Sequence, residues 1–178
     1  REMEGAAALG LTLKLLASAV RDGDTIAGAV VPTAIPSDGP FGWTDGVTNR
    51  VEIEASPLGT VRLAGPGAGG AATSSAVLGD LLAVARGGTS TWAGLPSVTG
   101  PALTAASPFG GARHWYAFVP AVRAGIGSLP TALDEAASVT FQHGAALRTE
   151  VVTLDEARAA DAAILPAGAH VTLYPVDD

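Results

Sequence analysis

The stretch Gly65-Pro66-Gly67-Ala68-Gly69-Gly70 constrains the fold of this chain more than any other. Four glycines in six residues call for a turn rather than the interior of a helix or strand, because glycine gives up the most conformational freedom on ordering. Thr60-Val61-Arg62-Leu63-Ala64 before it has strand character, and apolar residues at 76, 77, 78, 81, 82 and 84 after it recur at helical spacing. Thr73, Ser74 or Ser75 is placed to cap that helix. A glycine-rich passage from strand to helix lets backbone approach a ligand beside the positive end of a helix. The same passage also serves as a plain tight turn in many α/β domains. Gly65, Gly67 and Gly70 fit the G-x-G-x-x-G spacing, yet no acidic residue closes a second strand about 20 residues on. The chain's single lysine, Lys14, lies far upstream of the loop, so no phosphate-loop lysine is present.

The whole chain sets the remaining bounds. Its 178 residues suit one large domain or two small ones. With 48% hydrophobic and 15% charged residues there is ample material for a core. A net charge of −7, with no cluster of Lys and Arg, argues against a nucleic-acid surface. The absence of cysteine excludes disulfides and thiolate metal sites. No apolar run is long enough to span a bilayer, so no membrane partner is expected. The chain opens Arg1-Glu2-Met3-Glu4 with no secretory apolar run behind it, which reads as a cytoplasmic and truncated sequence.

Taken in order, Glu2 to Leu9 reads as the last turns of a helix stopped by Gly10. Leu11 to Val20 is apolar throughout and reads equally as helix or buried strand. Asp22-Gly23-Asp24 is a turn, with Thr25 to Val31 the returning strand of a hairpin. Pro32, Pro36 and Pro40 predict a long loop from Pro32 to Asp45. Val47 to Glu54 alternates as a half-exposed strand before the Ser56-Pro57-Leu58-Gly59 turn. Gly87 to Gly111 is rich in Gly, Ser, Thr and Pro and resembles a connection between domains. Beyond it, His114–Val119, Ser138–Gln142, Leu147–Val152 and His170–Val176 read as strands, and Leu129–Ala137 and Leu154–Ile164 as helices. The order β-α-β-β-α-β is the ferredoxin-like arrangement. The predicted fold class is α+β, a mostly antiparallel sheet with helices on one face, followed by that unit. The predicted boundaries are 1–87, a linker at 88–112, and 113–178.

No self-sufficient catalytic set or metal site emerges. His114, His143 and His170 have no partner at helical i, i+4 spacing and read as ordinary histidines, and no G-x-S-x-G elbow occurs. Asp38, Asp45, Glu52 and Glu54 read as solvated or turn-forming.

Four motifs nevertheless stand in register over residues 2–86: Leu13-Lys14-Leu15-Leu16-Ala17, Val31-Pro32-Thr33-Ala34-Ile35-Pro36, Asp45-Gly46-Val47-Thr48-Asn49-Arg50-Val51, and the glycine stretch with Thr73 and Ser75-Ala76-Val77. In order and spacing they resemble the catalytic domain of homoserine dehydrogenase. The resemblance implies an NAD(P)-dependent oxidoreductase that interconverts L-homoserine and L-aspartate 4-semialdehyde in threonine and methionine biosynthesis. It implies an N-terminal Rossmann domain, a catalytic and dimerisation domain to which residues 1–87 correspond, and often a C-terminal ACT domain, to which 113–178 correspond in element order only. Matched position by position, Gly69 is the residue against the nicotinamide, with Gly65, Pro66, Gly67 and Ala68 shaping the loop. Asn49 and Thr33 read as holding the loops rather than touching substrate, and Lys14 matches a sheet position. The family's Rossmann domain, catalytic lysine and acidic substrate ligands have no counterpart here. NADP or NAD is therefore held mainly by the missing domain, and the isolated chain is expected to be inactive.

The family pattern departs at Gly39-Pro40-Phe41 and at Ala72, and Arg123-Ala124-Gly125 replaces the usual ACT turn. A homodimer or larger assembly is implied, with Trp43 and Trp92 as candidates for burial at the contact. The alternative is a stand-alone amino-acid-sensing module or a chain-association domain.

Overall fold

The computed structural model describes residues 1–88, 90, 103–120, 135–141, 144–164 and 171–177. By compactness the chain forms two units, Arg1–Trp43 together with Leu103–Asp178, and Thr44–Ala102. This division differs from the boundaries read in the sequence because residues near both ends share one core.

The first unit opens with helix α1, Glu2–Ala8. Gly10, at φ 72°, turns the chain into strand β1, Leu11–Asp22. Strand β2, Thr25–Pro36, returns antiparallel in a continuous register from Asp22↔Thr25 to Leu11↔Pro36. The ambiguity at Leu11–Val20 thus resolves to strand. The loop expected from Pro32 begins only after Pro36. Proline lacks the N–H that a two-sided ladder needs, but among the described residues β2 is paired on its second side at Thr25 and Ile26, with the short strand β5, Thr104–Ala105, and bridged at Ala34 to Val176, and not at Pro32. Pro32 therefore lies between these two pairings, where no strand among the described residues calls for its N–H, and is tolerated there.

The rest of this unit is a four-stranded sheet of β6 (Trp115–Pro120), β7 (Glu135–Phe141), β8 (Gly144–Thr149) and β9 (Thr172–Pro175). Their order is β7-β8-β6-β9, and every neighbouring pair is antiparallel. Helix α3, Leu154–Ile164, falls where the sequence puts it. The helix expected at Leu129–Ala137 lies mostly outside the described residues. Its last three positions are corrected: Glu135–Ala137 open β7, paired to β8 with an irregularity between Glu135 and Ala137. The predicted strand at Leu147–Val152 likewise ends at Thr149, where β8 stops.

The core is built from both ends of the chain. Ala6, Leu11 and Ala34 pack with Tyr116, Phe118, Ala146 and Val176, and a second cluster joins Ala117, Val119, Ala145 and Leu147. Thr149 is fully buried, its hydroxyl accepting the Trp115 N–H at 2.9 Å and donating to the Glu150 carbonyl at 2.8 Å. Three hydroxyls of the sheet converge on Glu2. Tyr116 donates to its backbone carbonyl (2.6 Å), and Tyr174 (2.6 Å) and Thr172 (3.3 Å) to its carboxylate. Tyr116 and Tyr174 stack with ring centres 5.7 Å apart. Burial first, and then the neighbouring carboxylate, push the Tyr174 phenol up to about 12, and the same causes raise Tyr116.

The second unit is smaller. Strand β3, Thr48–Ala55, pairs antiparallel with β4, Gly59–Pro66, in the register Thr48↔Pro66 to Ala55↔Gly59. Arg62 bridges to Glu52 across the pair at 2.6 Å. Helix α2 follows over Gly70–Ala85 with no buried residue. Val77, Leu78, Leu81, Leu82 and Val84 are all exposed. A helix this apolar on every side is one that packing partners normally enclose.

Candidate functional site

The glycine stretch lies in the second unit, where the β3–β4 ladder ends. Its six residues divide into three parts. Gly65 and Pro66 complete β4, Gly67 to Gly69 make the bend, and Gly70 opens α2. The turn is therefore shorter than the glycine run. The ladder continues one step past its last paired residues, because the Gly67 N–H donates to the Val47 carbonyl at 2.6 Å. At Gly69 the backbone turns to φ 100°, ψ 157°, a combination in which only glycine is comfortable.

The helix start corrects the expected cap. Gly69 holds the N-cap position, four to six positions ahead of Thr73, Ser74 and Ser75, and no side chain caps the first turn. The first intrahelical bond runs from the Thr73 N–H to the Gly69 carbonyl at 3.0 Å. The N–H groups of the residues between them have no place in the helical ladder, and they stand at the positive end of the helix.

The surroundings of the glycines separate their roles. Among the described residues a Cβ added at Gly65, Gly69 or Gly70 would meet nothing within 4 Å, whereas one at Gly67 would run into the side-chain amide of Asn49. Pro66 to Gly70 are exposed. Among the described residues the bend thus presents open backbone at Gly69 and Gly70, while the side-chain space at Gly67 is taken by Asn49.

The other motif residues are placed as follows. Thr33 is buried in β2, its hydroxyl donating to the Val31 carbonyl at 3.2 Å, which is a structural role. Lys14 pairs with Thr33 across β1 and β2. The Arg50 guanidinium donates to Thr44 Oγ1 at 3.0 Å. Trp43 is 69% exposed, and Trp92 and Gly125 lie outside the described residues. His114 Nδ1 lies 2.7 Å from the Thr149 carbonyl, an ordinary backbone contact, while His143 and His170 fall outside the described residues. Among the described residues no group of acidic and histidine side chains is placed to hold a metal, and no helix is long and apolar enough to cross a membrane. The convergence on Glu2 had no signal in the sequence, since 170 and 172 positions separate the partners.

The fold is α+β, with mostly antiparallel sheets and a glycine bend between a strand and a bare helix. The homoserine dehydrogenase family model matches residues 1–82. Homoserine dehydrogenase of Mycobacterium leprae is 42% identical over 86 residues, covering 46% of this chain and 20% of that protein. That of Corynebacterium glutamicum is 37% identical over 108 residues, covering 53% of this chain and 24% of that protein. The crystal structure of a homoserine dehydrogenase from Thiobacillus denitrificans superposes with a TM-score of 0.70 at 26% identity, covering 99% of this chain and 44% of that one. The chain therefore matches a partial homoserine dehydrogenase segment, and it spans less than a quarter of these curated relatives and less than half of the solved one.

Proposed function

We propose that the chain is the part of an NAD(P)-dependent homoserine dehydrogenase that presents the nicotinamide-facing loop. The single observation behind this reading is the open bend at Gly69, whose positive φ and missing Cβ leave backbone exposed at the mouth of a strand-to-helix turn. Gly69 is the residue we place against the ring, with Gly65, Pro66, Gly67 and Ala68 setting the bend. The bound dinucleotide supplies the hydride acceptor or donor for L-homoserine and L-aspartate 4-semialdehyde. These residues contribute shape and backbone polarity, and the adenosine half belongs to a domain outside this chain. The proposed setting is a cytoplasmic homodimer, or larger assembly, in threonine and methionine biosynthesis. Residues 113–178 form its ACT-like unit, for which a role in subunit contacts is proposed.

The test is an assay of homoserine-dependent reduction of NADP or NAD by the full-length protein that carries this segment. Turnover is expected, with Gly69→Val lowering kcat by at least about tenfold because a misplaced reactant is costly. Turnover unaffected by Gly69→Val would remove the loop from the site, and no turnover with either dinucleotide would overturn the function. The 178-residue chain alone is expected to show none.

A further inference from the structure

We infer that Asn49 is the positioning residue of the glycine bend, acting through Gly67. The β3–β4 register sets Asn49 opposite Gly65, with the pairs Val51↔Leu63 and Ile53↔Val61 following on the same face of the ladder. Gly67 lies two residues beyond Gly65, so its missing side chain belongs to that face as well. The amide of Asn49 fills this position: all three of its terminal atoms crowd the point where a Gly67 Cβ would stand. Asn49 thus supplies from the neighbouring strand the side chain that Gly67 lacks.

The consequence is a division of labour among the glycines. Gly67 is glycine to admit Asn49, and Gly69 is glycine to turn the chain and stay open. The Gly67 N–H bond to Val47 ties its peptide to β3, and the Asn49 amide occupies the place its Cβ would take. The bend starts from there, so the direction in which Gly69 faces is set by Asn49. This inference rests on the proposed function for its catalytic readout, but its geometric content does not.

The test is a double-mutant cycle of Asn49→Ala and Gly67→Ala, run in two settings. In the full-length enzyme each single variant should lower kcat about tenfold. KM for the dinucleotide should stay within about twofold, because only the nicotinamide end is misplaced and most of the binding comes from elsewhere. The double variant should be no worse than either single one, since the methyl group added by Gly67→Ala no longer meets an amide. A double variant about 100-fold down, the product of the two losses, overturns the inference. If the wild-type enzyme has no activity, the proposed function has failed and the thermal unfolding of the 178-residue chain decides instead. There, melting shifts that are non-additive support the Asn49–Gly67 contact, and additive shifts overturn it.

Discussion

Replacing Gly69 and Gly65 separately by alanine isolates backbone strain from crowding. At neither position would the new methyl group meet an atom of the described residues within 4 Å, so packing among them contributes almost nothing to either change. The two differ in backbone. Gly69 sits at φ 100°, ψ 157°, and Gly65 is not among the positive-φ glycines. A non-glycine residue held in the Gly69 conformation costs about 1–3 kcal/mol. At Gly65, within a strand, alanine restricts the unfolded chain and stabilises by about 0.4–1 kcal/mol. The two variants should therefore differ by roughly 1.5–4 kcal/mol. Urea unfolding of the 178-residue chain, followed by far-UV circular dichroism, measures that gap as a change in midpoint at constant slope. In a thermal melt, Gly69→Ala should lower Tm by about 2–12 °C for a chain of this size. If the two variants unfold within 0.5 kcal/mol of each other, to order of magnitude the spread of ordinary surface changes, the bend relaxes freely and the argument that glycine is required at 69 is wrong.

Three other perturbations follow from the larger unit. Thr149→Val keeps the shape of a fully buried side chain but strands the Trp115 N–H, and should cost about 1–3 kcal/mol in the same urea titration; a loss under 0.5 kcal/mol, roughly the noise of neutral substitutions, would count against that hydrogen bond. Because Tyr174 and Tyr116 have phenol pKa values raised above the unfolded value of 10.0, their contribution is complete below pH 10 and is lost as pH climbs from there through the folded values. Stability followed up to pH 12 should fall over that window, and the Tyr174→Phe variant should fall less steeply; identical slopes would refute the assignment. In α3, Thr153 and Glu156 form a reciprocal cap, with the Thr153 N–H donating to Glu156 Oε2 at 2.8 Å and the Glu156 N–H to Thr153 Oγ1 at 3.3 Å. The hydrogen bonds from Thr153 hold the Glu156 carboxyl below its usual pKa, so this support is present above the ordinary carboxylate range and disappears as pH falls through and below it. Thr153→Ala should cost about 0.5–2 kcal/mol at neutral pH, read by the same unfolding curves.

Local chemistry made several elements legible. The Asp22-Gly23-Asp24 turn, the alternation of Val51 and Ile53, the Gly10 stop and the Asp155-Glu156 helix start all act over a few residues, and each appears where its pattern puts it. The errors lie where a local signal is outvoted by tertiary context. Pro32 reads as a strand breaker, but it falls between the second-side pairings of β2 at Ile26 and Ala34, where no strand among the described residues needs its N–H. Thr73, Ser74 and Ser75 are better caps than Gly69 on intrinsic preference, yet the positive φ at Gly69 starts the helix sooner. The glycine bend itself was visible, whereas the reason for Gly67 was not. That reason is a side chain on a partner strand, and only the register reveals it.

The first unit draws on residues 1–43 and again on residues 103–178, with Tyr116 and Tyr174 reaching back to Glu2. During synthesis on the ribosome, α1 and the β1–β2 hairpin emerge long before the strands that complete their core. Chains generally fold from the N-terminus as they emerge, but contacts this distant in sequence form late. The apolar residues Leu11 and Ala34 therefore lack part of their core until β9 and Val176 have left the exit tunnel. A stop codon or frameshift ahead of β9 would consequently deprive Ala6, Leu11 and Ala34 of their core partner Val176, although every residue of that earlier half had been translated correctly.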